Sequence, residues 1–110
     1  MPVTTQAELL LALERAQFDT VLDTAESDYV DFKEAPYQLQ HPHQKWELAK
    51  DVAAFANGQG GIIVLGYRTD RPQNALVDLA IQHRPIPKVL INWDAYRQTI
   101  ASWVPPCQYR

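Results

Sequence analysis

Apolar and polar positions alternate along one short segment close to residue 30. Val30 and Phe32 are apolar, and Tyr29, Asp31 and Lys33 flank them on alternate positions. Because successive side chains of a strand point to opposite faces, this period of two predicts a strand whose Val30 and Phe32 face the core. The same pattern brings an aromatic ring, a carboxylate and an ammonium group together on the wetter face.

Other segments repeat their apolar residues at intervals of three and four, which is typical of helices. The first predicted helix begins with a capping box formed by Thr5 and Glu8 and continues to about residue 17. A second helix is predicted over residues 44–56, where small alanines permit a close approach to a sheet. The pattern thus predicts two packing helices before the middle of the chain.

The last predicted helix has Asn92 as its N-cap and ends before Pro105 and Pro106. Its apolar face carries two of the three tryptophans, and the third lies on the apolar face of the second helix. We interpret these rings as core residues, although an exposed one could stack on a nucleobase. They are Trp46, Trp93 and Trp103.

An uninterrupted apolar run over residues 62–67 predicts a central strand that is covered on both faces. Asn57 and Gly58 precede it and are expected to end the second helix, because both residue types tolerate a positive φ. Residues 75–81 are compatible with either a helix or a strand, and Pro85 and Pro87 end that element.

Two sequence motifs indicate a family. The segments ESDYVDFK (residues 26–33) and AFANGQGGIIVLGY (residues 54–67) together resemble the AlbA_2 domain of the Schlafen family. The resemblance implies an α/β (α+β) fold in which a small mixed sheet is packed by two or three helices. It also implies one domain over residues 1–110, continued by further strands in a longer protein.

Composition limits the cellular setting. The chain has 110 residues, of which 46% are hydrophobic and 21% are charged, as in one small soluble domain. Its longest apolar run is far too short to cross a bilayer, and the N-terminal residues do not resemble a secretory signal. The single Cys107 cannot form an internal disulfide and has no adjacent base to activate it. We therefore expect a cytoplasmic protein that does not bind membranes.

Charge is distributed unevenly, although the net charge is only -3. The first 34 residues carry eight acids and two bases, whereas residues 68–110 carry six bases and three acids. This division suits a carboxylate site beside a basic nucleic-acid track, but solvated surfaces of a small protein would give the same pattern. The predicted nucleic-acid-binding residues are Arg68, Arg71, Arg84, Lys88 and Arg97.

The Schlafen resemblance also implies a possible catalytic site. In nucleolytic members, two acids of the first motif and an aspartate after the glycine-rich strand hold Mg²⁺ or Mn²⁺. They correspond here to Glu26, Asp31 and Asp70, and Lys33 matches the motif lysine, which could contact phosphate or orient Asp31. Asp31 is shorter than the usual glutamate. The alternative is that these residues are ordinary surface acids and that Asp70 only forms a turn.

Two other motifs argue against specific ligands. In the segment GQGG (residues 58–61) the helix precedes the glycines, whereas phosphate cradles place the helix after them. This order argues against ATP binding. His41 and His43 have no cysteine and no third histidine at zinc-ligand spacing, which argues against a zinc site.

The Schlafen resemblance implies a nucleic-acid-binding module that acts on DNA or RNA, most typically as part of a DNA-binding transcriptional regulator, and the basic last third of the chain is compatible with this. A homodimer is expected because a short sheet with an open edge exposes unpaired backbone groups. Two alternatives stay open at this point. One is a metal-dependent nuclease that uses the acids above, and the other is a protein-interaction module without nucleic-acid binding.

Overall fold

The computed structural model describes residues 5–103, which form a mixed α+β structure, as predicted. The described residues contain three α-helices, α1 (Gln6–Glu14), α2 (Pro42–Ala56) and α3 (Trp93–Trp103). They also contain four strands, β1 (Val30–Lys33), β2 (Ile62–Leu65), β3 (Tyr67–Asp70) and β4 (Leu79–His83). No helix in this part of the chain is long and apolar enough to cross a membrane.

The chain divides into two compact units, each built from two separate segments. The described part of the first unit comprises residues 5–35 and Gly61–Ile86, and that of the second comprises Pro36–Gly60 and residues 87–103. The first unit therefore contains α1 and all four strands, and the second contains α2 and α3.

The first unit has an apolar core between α1 and the strands. Val30 and Phe32 of β1 are buried, whereas Asp31 and Lys33 are only half-buried, which confirms the alternation predicted for this strand. The Thr5–Glu8 capping box is also confirmed, with both hydrogen bonds at 3.1 Å. The buried cluster consists of Leu9, Ala12, Val21, Val30, Phe32, Val64, Tyr67 and Ala80.

Two small sheets share this core. β1 and β2 are parallel, with Val30 opposite Ile62, and β3 and β4 are antiparallel, with Tyr67 opposite His83. The segment of residues 75–81, which was compatible with two structures, thus contains the start of a strand. The described strands thus form one parallel and one antiparallel sheet, where the sequence analysis expected both kinds of pairing in one small mixed sheet.

Gly66 interrupts the apolar run that was predicted to be one strand. Its φ is +107°, and a side chain there would meet the Arg84 carbonyl oxygen at 3.1 Å. Its N–H donates to the Lys33 carbonyl (2.7 Å), and its carbonyl accepts from the Arg84 N–H (2.6 Å). The prediction of a continuous strand to residue 67 is therefore wrong, because the backbone turns at Gly66 from one sheet into the other.

Residues 62–67 are not fully buried on both faces, contrary to the prediction for a central strand. Val64 is buried, but Ile62, Ile63 and Leu65 are only half-buried, and β2 pairs with β1 alone among the described strands. Preceding it, Asn57 caps α2 with φ -80°, so the positive φ expected there is instead found at Gly60 (+87°).

The second unit is organised around two buried tyrosines. The N–H of Tyr37 donates to the Tyr96 hydroxyl (2.8 Å), and the Tyr37 hydroxyl donates to Asp51 of α2 (2.6 Å). The two rings meet edge to face, with centroids 6.0 Å apart. Leu48 and Ala49 of α2 and Thr99 of α3 are buried in the same unit.

The three tryptophans are not core residues, so that prediction is wrong. Trp46, Trp93 and Trp103 are 51%, 54% and 44% exposed. In α3 the buried positions are Tyr96 and Thr99, in the middle of the helix, while the two tryptophans lie at its ends. Asn92 does cap this helix, with its side chain accepting from the Ala95 N–H (3.2 Å). Pro105, Pro106 and Cys107 lie outside the described residues.

Candidate nucleic-acid interface

The outer face of the β3–β4 sheet carries exposed basic residues. Arg68 lies opposite Gln82, and Arg84 follows β4 with its backbone still paired to Gly66. Because side chains alternate along a strand, Arg68, Gln82 and Arg84 point to one face and Tyr67 and His83 to the other. Arg68 and Arg84 are then diagonal neighbours, whose backbones are about 7–8 Å apart.

Tyr67 fixes which face of this sheet points outward. It is 1% exposed, its ring stacks on His83 at 5.0 Å, and its hydroxyl donates to the Phe18 carbonyl at 2.8 Å. Burial, with a smaller contribution from Asp19, raises the pKa of Tyr67 to about 12, so the hydroxyl stays a donor. A one-residue slip would bury Arg68 in place of Tyr67, which strongly favours the observed register.

The three predicted arginines of the first unit differ in their ion pairs. Arg71 lies 3.0 Å from Asp78, and Arg84 lies 3.3 Å from Glu34. Arg68 has no ion pair with any residue in the described range 5–103. Exposed pairs of this kind contribute little stability, so either arginine can exchange its carboxylate for a phosphate at small cost. These arginines are the candidate contacts of the interface.

The two other predicted basic residues belong to the second unit. Lys88 lies in a short 3₁₀-helix and is exposed, and Arg97 of α3 forms an ion pair with Asp94 one turn earlier. Neither residue is part of the β3–β4 sheet. Their role in nucleic-acid binding stays a prediction.

Two of the predicted acids do come together, at the start of β1. Ser27 and Val30 exchange backbone hydrogen bonds of 3.0 and 3.4 Å in a tight turn. This turn folds Glu26 back along the strand, where its carboxylate accepts from the Phe32 N–H at 2.9 Å. Asp31 lies beside it and also forms an ion pair with Lys33 at 3.3 Å.

The pKa of Glu26 is raised to about 7. Burial is the main cause, because it disfavours the charged carboxylate. A hydrogen bond with Asp31 and the negative charges of Asp31 and Asp78 act in the same direction, against the opposing effect of the Phe32 N–H. Glu26 can therefore hold or release a proton close to neutral pH.

Asp78 is an acid that sequence reasoning missed. The chain over residues 23–26 runs antiparallel beside β4, with Ala25 bridged to Leu79 and the Glu26 N–H donating to the Asp78 carbonyl at 2.9 Å. This pairing brings Asp78 close to Glu26, although the two residues are far apart in the sequence. Their proximity is a consequence of tertiary pairing, and no local motif signals it.

Asp70 lies on the other side of β4. It is the last residue of β3, opposite Leu79, and its side chain accepts from the Arg71 N–H at 2.8 Å. Leu79 thus separates it from Ala25, a distance of two strand spacings or about 10 Å. The structure does not bring Asp70 to the Glu26–Asp31 pair.

The described residues do not fit the divalent metal implied by the family resemblance. Within residues 5–103 no three histidine, cysteine, aspartate or glutamate side chains are arranged to hold a metal ion. One oxygen of Glu26 accepts a backbone N–H, and Asp31 pairs with Lys33. We derive no metal-dependent step from this arrangement, and the catalytic roles of Glu26, Asp31, Lys33 and Asp70 stay predictions.

These features define a small α+β protein with a basic sheet face and a pair of carboxyl groups at the start of a parallel strand. The family model described as Schlafen, AlbA_2 matches residues 26–98, which extend from Glu26 through both sheets into α3. The chain belongs to this family. No curated protein and no solved structure is significantly similar to it.

Proposed function

We propose that the protein is a nucleic-acid-binding module whose primary contact surface is the outer face of the β3–β4 sheet. The observation that supports this proposal is the exposure of Arg68 and Arg84 on the same face. Arg71 follows β3 directly and extends the basic surface beyond the sheet. Membership in the Schlafen AlbA_2 family provides the context in which such a surface is expected.

The geometry suits backbone phosphates better than base edges. Arginine presents several N–H donors in a planar fork that matches phosphate oxygens. The outer face of two short strands offers two arginines that match phosphates and few groups that could read base edges, so phosphate contacts dominate and sequence is read weakly. We therefore propose that binding is salt-sensitive and has little sequence preference.

Fluorescence anisotropy at low salt tests this function. The titrations use labelled single strands and duplexes of both DNA and RNA, of one common sequence. We expect saturable binding that Arg68→Ala weakens several-fold for every one of these molecules, because a phosphate contact is independent of sequence. Absence of binding to all four would contradict the proposal and favour the protein-interaction alternative.

Lys50→Ala provides a control with the same change in net charge. Lys50 is exposed on α2, in the second unit, and pairs with Glu47 at 3.3 Å. If binding depended only on overall charge, Lys50→Ala and Arg68→Ala would weaken it equally. The proposal requires the Arg68 variant to be clearly weaker.

We also propose that the module acts as a homodimer, as expected from an open sheet edge, within a transcriptional regulator, as the family resemblance implied. Among the described strands β2 is paired on one side only, by β1. An open strand edge of this kind can recruit a second copy. Analytical ultracentrifugation over a range of concentrations tests this point, and a monomer throughout that range would exclude it.

A further inference from the structure

A polar pocket lies within the second unit, and its lining includes none of the residues assigned to the basic sheet face. It has a volume of about 490 Å³ and opens between the segment of residues 37–40 and α3. This volume is within the range of small-ligand sites in proteins. The residues that matter below are Tyr37, Lys45, Asn92, Tyr96, Gln98 and Trp103.

The aromatic walls of the pocket are held in place. Tyr37 and Tyr96 are both 8% exposed and are joined by the 2.8 Å hydrogen bond from the Tyr37 N–H to the Tyr96 hydroxyl. Trp103, at the end of α3, is 44% exposed and offers part of its ring at the rim. The pocket thus combines a fixed aromatic floor with an accessible indole ring.

Hydrogen-bonding groups along α3 are available to a ligand. The side-chain oxygen of Asn92 caps the helix, which leaves its amide N–H₂ group without a partner among the described residues. Gln98 has an exposed amide that can both donate and accept. The Tyr96 hydroxyl accepts from Tyr37 and retains its own proton, because burial raises its pKa above the ordinary value.

The charge of the pocket is the opposite of the chain as a whole. The protein has 13 acidic and 10 basic residues, yet among the described residues no carboxylate lines this pocket and Lys45 is the one charged side chain that does. Within the described part of the chain, an organic cation would find no counter-charge on the pocket lining. A planar, neutral, hydrogen-bonding ring that carries a nearby anion fits all the features present.

We propose that this pocket binds one unpaired nucleotide of a single-stranded nucleic acid, with the base against Trp103 and its polar edge toward the amides of α3. Lys45 provides a cation for the attached phosphate. Aromatic stacking combined with amide hydrogen bonds is the usual way in which proteins bind unstacked bases. The inference rests on the proposed function and adds to it a preference for single strands over duplexes.

Tryptophan fluorescence tests the proposal directly. In the Trp46→Phe/Trp93→Phe protein, Trp103 is the sole tryptophan, because the chain has three. We expect saturable quenching by a short mixed-sequence single strand and, at higher concentration, by the free nucleotides AMP and UMP. The matched control is Trp93→Phe/Trp103→Phe, whose remaining Trp46 lies outside the pocket and is not expected to be quenched by AMP or UMP.

Anisotropy of variants measures the effect on affinity. Trp103→Ala is expected to weaken single-strand binding roughly 5- to 150-fold, the range that corresponds to one stacked base. Gln98→Ala, an exposed helix position, is expected to weaken it to a smaller extent without affecting folding. Neither variant should change the affinity for duplexes. Trp46→Ala should change neither the affinity for single strands nor the affinity for duplexes.

The outcomes distinguish this inference from the function on which it rests. If strands bind in an Arg68-dependent manner while Trp103 is not quenched and Trp103→Ala binds normally, the pocket proposal is wrong and the basic face stands. If no strand binds but AMP and UMP quench Trp103 saturably, the pocket binds free nucleotides only, and both the proposed function and the assignment of the pocket to a single strand are wrong. Absence of quenching by both strands and nucleotides overturns the pocket proposal in either case.

Discussion

The two units use their polar residues in different ways. In the first unit charged side chains lie on the outer faces of two small sheets, over a core that is mainly aliphatic. In the second unit a hydrogen bond joins two buried tyrosines, and the described residues that line the adjacent pocket include one charged side chain. The first arrangement suits a charged polymer, and the second suits a single planar ligand. The difference shows that one short chain can carry two chemically distinct surfaces.

The largest expected effect concerns the backbone on which the first unit depends. Gly66→Ala should lower the free energy of unfolding by about 1 to 3 kcal/mol from the backbone conformation alone. Crowding adds to this, since the new methyl group would meet the Arg84 carbonyl oxygen at 3.1 Å. Urea denaturation followed by circular dichroism measures the change.

Gly58→Ala is the matched control for this substitution. Its φ is not positive, and a methyl group there would meet its nearest atoms at an ordinary 3.8 Å. This variant should be as stable as the native protein or nearly so. Equal destabilisation by both variants would show that the turn at Gly66 does not determine the arrangement of the two sheets.

A smaller effect is expected from the tyrosine pair of the second unit. Tyr96→Phe removes the hydroxyl that accepts from the Tyr37 N–H and so deletes this hydrogen bond. The expected loss is about 1 to 2 kcal/mol, the lower part of the usual range, because water can enter the adjacent open pocket. Tyr29→Phe, at a position 42% exposed, should have no measurable effect in the same denaturation experiment.

The stability of the protein should also depend on pH through Glu26, which belongs to the first unit. Its pKa is about 7 in the folded protein against 4.5 for the ordinary group, so the folded state binds the proton more tightly. The contribution of this group to stability is therefore greatest below pH 4.5 and is lost as the pH rises through about 7. Glu26→Gln retains an acceptor for the Phe32 N–H and cannot ionise, so it should remove this dependence.

Thermal denaturation at several pH values between 4.5 and 8 measures this dependence. We expect Glu26→Gln to match the native protein at the acidic end and to exceed it in melting temperature at the alkaline end. Glu14→Gln, an exposed position at the end of α1, should follow the native profile throughout. If the melting temperatures of Glu26→Gln and of the native protein change with pH in parallel, the pKa of Glu26 is not raised and this prediction is wrong.

Local patterns in the sequence predicted the parts of the fold that depend on neighbouring residues. Alternation identified β1, the Thr5–Glu8 capping box identified the start of α1, and Asn92 identified the start of α3. Each of these features is encoded within a few residues. The α+β class and the family followed from them and from the two motifs.

Features that depend on contacts between residues far apart in the sequence could not be predicted from local patterns. Gly66 lies in an apolar run, and its positive φ is explained only by its bonds to Lys33 and Arg84. Asp78 approaches Glu26 because residues 23–26 pair with β4. The pocket depends on a contact between Tyr37 and Tyr96, which are 59 positions apart in the sequence.

The central claim is that phosphates are bound by the outer face of the β3–β4 sheet, and the salt dependence of affinity tests it most directly. The measurement compares duplex binding by the native protein, Arg68→Ala/Arg84→Ala and Lys50→Ala across a series of salt concentrations. Each lost phosphate contact should reduce the slope of log affinity against log salt by about 0.9. The account predicts a slope smaller by about 2 for the double variant and unchanged for Lys50→Ala, whereas equal slopes for all three proteins would contradict it.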